Sequence, residues 1–148
     1  MENRTLAPLQ QLVSSSADRA NGAKGVAEWI AANRGYRWVG IYEVTRTDIG
    51  MIVCTGSTTP AFPRFPISHG LCGAAVAAKS TVNVGDVQKD PRWLTTFGST
   101  RSEIIVPVFT SASRVVGLID VESEALNAFD RADETFLADC ASVIAPLF

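Results

Sequence analysis

Glu103-Ile104-Ile105-Val106-Pro107-Val108-Phe109 and Val115-Val116-Gly117-Leu118-Ile119-Asp120-Val121 are two nearly continuous apolar runs joined by the polar turn Ser111-Ala112-Ser113-Arg114. Runs of this length, rich in β-branched residues, read as central strands buried on both faces. Pro107 lacks an N–H, so it requires a bulge or a side of the strand without a ladder partner. Glu103 opens one run; Asp120 and Glu122 lie two residues apart near the end of the other, which turns both to the same face of the sheet.

Working outward, Asp130 is placed to cap a long helix that runs to about Ala145, with Asp133 and Glu134 in its first turn, where the helix dipole favours acids. Phe136, Leu137, Cys140, Val143 and Ile144 form its apolar face. Trp38 to Thr45 and Met51 to Cys54 read as a β-hairpin. Pro60, Pro63 and Pro66 make residues 56–69 a long irregular loop. Gly70 to Lys79 is a small-residue helix, Thr81 to Val84 a short strand, and residues 85–101 a second long loop. Two amphipathic helices precede the hairpin: residues 5–20, stopped by Gly22, and Ala23 to Arg34, capped by Gly35. This order predicts an α+β fold, a central antiparallel sheet with helices mainly on one face and the two long loops covering a pocket on the other.

Composition narrows the function classes. The chain has 148 residues, 47% hydrophobic and 19% charged, enough for one domain spanning residues 1–148 around a single core. Its net charge is −2, and residues 102–148 hold eight acids against Arg114 and Arg131, which argues against nucleic acid and anionic lipid as partners. No stretch reaches the roughly 20 apolar residues needed to span a bilayer, and no apolar signal core follows Met1, so a soluble cytoplasmic protein is expected. Cys54, Cys72 and Cys140 form no C-x-x-C pair, which fits a reducing compartment and offers no zinc-knuckle spacing. No nucleotide-cofactor, P-loop or metalloprotease motif occurs, and no cofactor or metal is expected.

The candidate site residues come from the strands and loops. Carboxylates rarely enter apolar runs without a partner, so Glu103, Asp120 and Glu122 suit a ligand's ammonium group or a guanidinium such as that of Arg101. Trp38, Tyr42, Phe62, Trp93 and Phe97 supply aromatic walls, and Trp93 and Phe97 sit in a polar loop where they need something to cover. Cys72, in Gly70-Leu71-Cys72-Gly73 at a helix start, is either a thiol made reactive by the helix dipole or a small hydrophobe in a tight helix–sheet contact. His69, the single histidine, lies three residues before it. Cys54 and Cys140 read as core residues, and Arg64, Arg92 and Arg101 are the candidate phosphate partners.

Taken in order, Trp38-Val39-Gly40-Ile41-Tyr42, Gly70-Leu71-Cys72-Gly73-Ala74-Ala75, Asp86-Val87, Arg101-Ser102-Glu103-Ile104-Ile105-Val106-Pro107-Val108, Val116 to Ser123 and Phe129-Asp130 resemble a GAF domain. Among GAF domains the chain is similar to the free methionine-(R)-sulfoxide reductases, stand-alone cytoplasmic proteins that are usually dimeric, with the helix of residues 1–20 available as a dimer contact. Their ligand-binding carboxylates map onto Glu103, Asp120 and Glu122, the last being Glu where the reductases have Asp. Their chemistry needs three cysteines, and two are absent: one element reads Ala61-Phe62-Pro63-Arg64, and the loop cysteine falls at Thr96. Only Cys72 remains. The resemblance without the redox cysteines therefore implies a non-enzymatic binding or sensory module for a small polar molecule, built on Trp38, Tyr42, Trp93, Phe97, Glu103, Asp120 and Glu122. The alternatives are a divergent reductase acting through Cys72 and a structural dimerisation module. Bilin attachment is not implied, because Gly73 rather than histidine follows Cys72.

Overall fold

Residues 6–148 are described by a computed structural model. The elements are α1 (Ala7–Ser15), α2 (Arg19–Arg34), β1 (Trp38–Val44), β2 (Asp48–Cys54), β3 (Arg64–Pro66), α3 (Gly70–Ala78), β4 (Val82–Val84), β5 (Ser102–Phe109), β6 (Val115–Ser123) and α4 (Arg131–Ile144). Short 3₁₀ turns follow at Val87–Lys89 and Ala145–Leu147. The strands form one antiparallel sheet in the order β3-β2-β1-β6-β5-β4, so the two apolar runs pair with each other near its middle.

The alternation along each strand divides the core in two. Val39 and Ile41 of β1, Ile104, Val106 and Val108 of β5, and Ile119 and Val121 of β6 face α1, α2 and α4. Trp38, Tyr42, Ile105 and Leu118 face the other way, against Leu71, Cys72 and Ala75 of α3 and Val87 of the second loop. The α+β layout is as expected, with three helices on one face and α3 with both loops on the other.

Several local expectations are corrected. Gly22 does not stop a helix: the break falls at Ser16–Asp18, where the Asp18 carboxylate accepts a bond from the Asn21 N–H and starts α2. Gly22 sits inside α2 because a Cβ there would lie 2.5 Å from Ser16 Oγ, so the glycine allows close packing. Gly35, at φ 69°, does end α2. The expected first helix started at Thr5, which lies outside the described residues along with the rest of residues 1–5. Leu6 and Leu9 are buried in the chain's own core.

The proline-rich segment is not wholly irregular either. Arg64–Pro66 pairs with Asp48–Gly50 as a three-residue edge strand, a position that tolerates proline because one side needs no ladder bonds. Pro107 is accommodated in the same way, since β4 reaches only as far as Ile105. In α4, Leu137, Cys140, Ala141 and Ile144 are buried, while Phe136 and Val143 pack on the margin. Among the described residues, no helix is long and apolar enough to cross a membrane.

Candidate functional site

On β1 the residues facing the loops are Trp38, Gly40 and Tyr42. A Cβ on Gly40 would lie 2.5 Å from the Trp38 ring and 2.9 Å from the Tyr42 ring, so the two aromatics close over a glycine that has room for nothing else. On the neighbouring strands Glu103 lies opposite Glu122 in the β5–β6 ladder, and Asp120 is next along the same face. Glu103, Asp120 and Glu122 are 3%, 1% and 0% exposed. The sheet thus gathers three carboxylates under the loops.

Their bonding is incomplete. Thr100 Oγ1 donates to Glu122 Oε1 at 2.8 Å, but Glu103 Oε1, Asp120 Oδ1 and Glu122 Oε2 are buried without a hydrogen-bond partner. The indole N–H groups of Trp38 and Trp93 are also buried and unpartnered. Arg101 does not serve as the counter-ion: it is exposed, and among the described residues no ion pair involves any of the three carboxylates. Burial, and then the charge of Glu122, push the Glu103 carboxyl up to about 8. Burial also raises Asp120, with Glu103 next in effect, and raises Glu122 against the opposing bond from Thr100. The cluster therefore retains protons at neutral pH and offers both hydrogen-bond donors and acceptors.

A cavity opens above it, lined by Tyr42, Cys72, Glu103 and Asp120, by Phe65 of β3 and, from the loops, by Phe62, Leu94, Thr95 and Thr96. The space for a water centre inside is about 20 Å³, room for about one water molecule. The loops meet where the Ala61 N–H donates to the Thr96 carbonyl at 3.1 Å, and Phe62, 49% exposed, lies at the mouth. Trp38, Trp93, Phe97 and Glu122 stand beside this cavity rather than on its wall. Trp38 and Phe97 make an edge contact at 5.3 Å, over which Arg37 stacks at 5.8 Å from the Phe97 ring. Phe65, Leu94 and Thr95 were missed by sequence reasoning, Phe65 because its strand is only three residues long and rich in proline, the other two because loop residues carry no periodicity that marks an inward face. Thr96 was noted only for its motif position.

Of the two readings of Cys72, the structure favours the small hydrophobe in a tight helix–sheet contact. Cys72 is buried against the sheet, and burial followed by the charges of Glu103 and Glu122 pushes its thiol up, outweighing the helix dipole. His69 is exposed and does not line the cavity. Cys140 is on the opposite face of the sheet, its thiol pushed up to about 12 by burial, and Cys54 lies at the end of β2 with its thiol near the Thr58 carbonyl. All three cysteines are free. Of the arginines considered for phosphate, Arg64 is taken by Glu43 at 2.6 Å and Arg92 by Asp90 at 2.7 Å.

Residues 18–146 match the GAF domain. The chain belongs to the GAF-domain family. This GAF protein superimposes on the X-ray structure of a free methionine-R-sulfoxide reductase from Neisseria meningitidis in complex with its substrate, with TM-score 0.88 and 30% identity, over 99% of this chain and 87% of that one. The type II free methionine-R-sulfoxide reductase from Thermoplasma acidophilum gives TM-score 0.82 at 29% identity over 94% of both chains. A curated relative, GAF domain-containing protein A of Dictyostelium discoideum, is 26% identical over 94% of this chain and 87% of its own length. The protein is a GAF domain related to the free methionine-R-sulfoxide reductases.

Within the GAF frame, Gly73 fixes the helix that carries Cys72. A Cβ at Gly73 would lie 2.7 Å from the Ser68 carbonyl carbon and 2.8 Å from the Ile67 oxygen, both backbone atoms that cannot rotate away. Gly73→Ala is expected to destabilise the fold by about 1–3 kcal/mol through this clash. Thermal unfolding measures the loss, and a variant as stable as the parent would show that the segment before α3 yields freely.

Proposed function

We propose that this GAF protein is a binding or sensory module for a small polar, amino-acid-like molecule of the free methionine sulfoxide type, held over Glu103 and Asp120. The observation that carries the reading is the pair of buried, unpartnered carboxyl oxygens facing a loop-covered cavity. A carboxyl that keeps its proton donates to an oxygen such as that of a sulfoxide, and an ionised one accepts from an ammonium group; a cluster that shares protons serves both. Tyr42, Phe62 and Phe65 supply apolar walls, with Trp38, Trp93, Phe97 and Glu122 around them. A molecule of this size needs the loops at 55–63 and 90–100 to part and reclose, and that movement is the output a sensory module would transmit.

Reduction is disfavoured because it requires one thiolate to attack sulfur and a second thiol to resolve the intermediate as a disulfide. Cys72 holds its proton, and no other cysteine lines the cavity. The kinship to the reductases favours the second reading, turnover through Cys72. The free thiols suit a cytoplasmic compartment. The family's habit of dimerisation makes a homodimer the assembly we propose.

Thermal unfolding with both methionine sulfoxide epimers, methionine and other amino acids tests the binding. A ligand at 100 times its dissociation constant adds about 2.7 kcal/mol, which for a domain of this size raises Tm by about 8 °C. Glu103→Gln and Asp120→Asn are expected to weaken that ligand at least tenfold. Equal shifts in parent and variants would move the site elsewhere, and Cys72-dependent consumption of methionine sulfoxide with dithiothreitol would make the protein a reductase.

A further inference from the structure

The sulfur of Cys72 and carboxylate oxygens of Glu103 and Asp120 lie within 4.8 Å of one another, on α3, β5 and β6. We propose that these three side chains form a site for a borderline transition-metal dication such as Zn²⁺ or Co²⁺, with its fourth position open to the cavity. Three independent features point the same way. The oxygens Glu103 Oε1 and Asp120 Oδ1 are buried, unpartnered and on the cavity wall, so a cation can take them in exchange for the protons that otherwise neutralise them. Water-sized room remains beside them, too little for an amino acid but suited to the water that completes three protein ligands. The donor set mixes one soft sulfur with two hard oxygens, which disfavours Mg²⁺ and Ca²⁺ on one side and Cu⁺ on the other.

Bonds of about 2.0–2.3 Å from a tetrahedral metal place neighbouring donors about 3.3–3.8 Å apart, inside the 4.8 Å limit that the three side chains already meet. Binding is an exchange of protons for metal. The dication takes the lone pairs of the Cys72 sulfur and the two carboxyl oxygens, and the thiol proton and any carboxyl protons leave to solvent; no electron is transferred. The inference shares the cavity of the proposed ligand site but does not rest on it.

The full chain, freed of metal and kept reduced, is titrated with Co²⁺ alone at pH 7.5. A one-to-one near-ultraviolet band from thiolate-to-cobalt charge transfer, with the strong visible bands of four-coordinate cobalt, is expected. Zn²⁺ should abolish both. Cys72→Ser is expected to remove the charge-transfer band, Cys54→Ser and Cys140→Ser to retain it, and Glu103→Gln to weaken Co²⁺ at least tenfold. Far-ultraviolet circular dichroism establishes that each variant is folded, and Cys72→Ala serves in place of an unfolded serine variant. No charge-transfer band in the folded parent, or a band that survives loss of the Cys72 thiol, overturns the site. Because no organic ligand is added, either result leaves the methionine sulfoxide reading to its own test.

Discussion

In the metal-free protein, with a chelator present, Glu103→Gln is expected to be more stable than the parent at pH 8.5 and about equal to it at pH 5. The Glu103 carboxyl is pushed up to about 8 in the fold, whereas an unfolded chain leaves it near 4.5. Between those values the folded state holds a proton that the unfolded state has released, so stability falls as pH rises. The parent should therefore lose stability progressively from about pH 4.5 through about 8. The difference between the two carboxyl values corresponds to a loss of up to about 5 kcal/mol. A glutamine carries no charge to bury, and removing Glu103 also relieves Asp120, which its charge helps to raise. Urea denaturation at the two pH values measures the effect. Parallel pH dependence in parent and variant would mean that the carboxylate cluster already has a counter-ion or ready access to water.

That cluster was only half legible in the sequence. The spacing of Asp120 and Glu122 fixes their shared face through the period of two, but the placing of Glu103 opposite Glu122 depends on the β5–β6 register, which the turn at Ser111–Arg114 sets and composition does not reveal. The aromatics divide similarly. Trp38 and Tyr42 follow from alternation on β1, whereas Phe65 comes from an edge strand too short and too proline-rich to read, and Leu94, Thr95 and Thr96 from a loop with no period. Cys72 shows local reasoning overruled by tertiary context: its place at a helix start argues for an acidic thiol, but burial beside carboxylates argues more strongly for a protonated one. A donor set drawn from three elements, at positions 72, 103 and 120, has no spacing motif to find. β1, β2, β4, β5, β6, α3 and α4 were legible because their local composition and patterning and the Asp130 cap act locally. The start of α2 was not, because Gly22 is there for its contact with Ser16 rather than for a turn.

Asp133→Ala is expected to cost about 3 kcal/mol and to lower stability at every pH above about 4. This carboxylate, 6% exposed, accepts from Tyr36 Oη at 2.6 Å, from Arg34 Nε at 2.9 Å and from the Asp130 N–H at 2.9 Å, while the Asp130 side chain caps its own N–H. It thus ties the end of α2 and the approach to β1 to the first turn of α4. Alanine removes half of a capping box and strands the Tyr36 hydroxyl, each worth about 1 kcal/mol, and leaves Arg34 over the Phe136 ring without its anion. Despite the cost of burial, its hydrogen bonds to Tyr36 and Asp130 and the pairing with Arg34 hold the Asp133 carboxyl below its ordinary value. Its contribution is accordingly present above the usual carboxylate range and is lost as pH falls through the lowered value, the opposite sense to Glu103. The two groups lie on opposite faces of the sheet, Asp133 at the α4 face and Glu103 under the loops. Asp133→Asn should therefore flatten only the acid limb of the stability profile and Glu103→Gln only the alkaline one, with the double variant additive to within about 0.5 kcal/mol. Denaturant midpoints across pH 3 to 9 measure this, and a strong departure from additivity would mean that the two faces of the sheet communicate through β5 and β6.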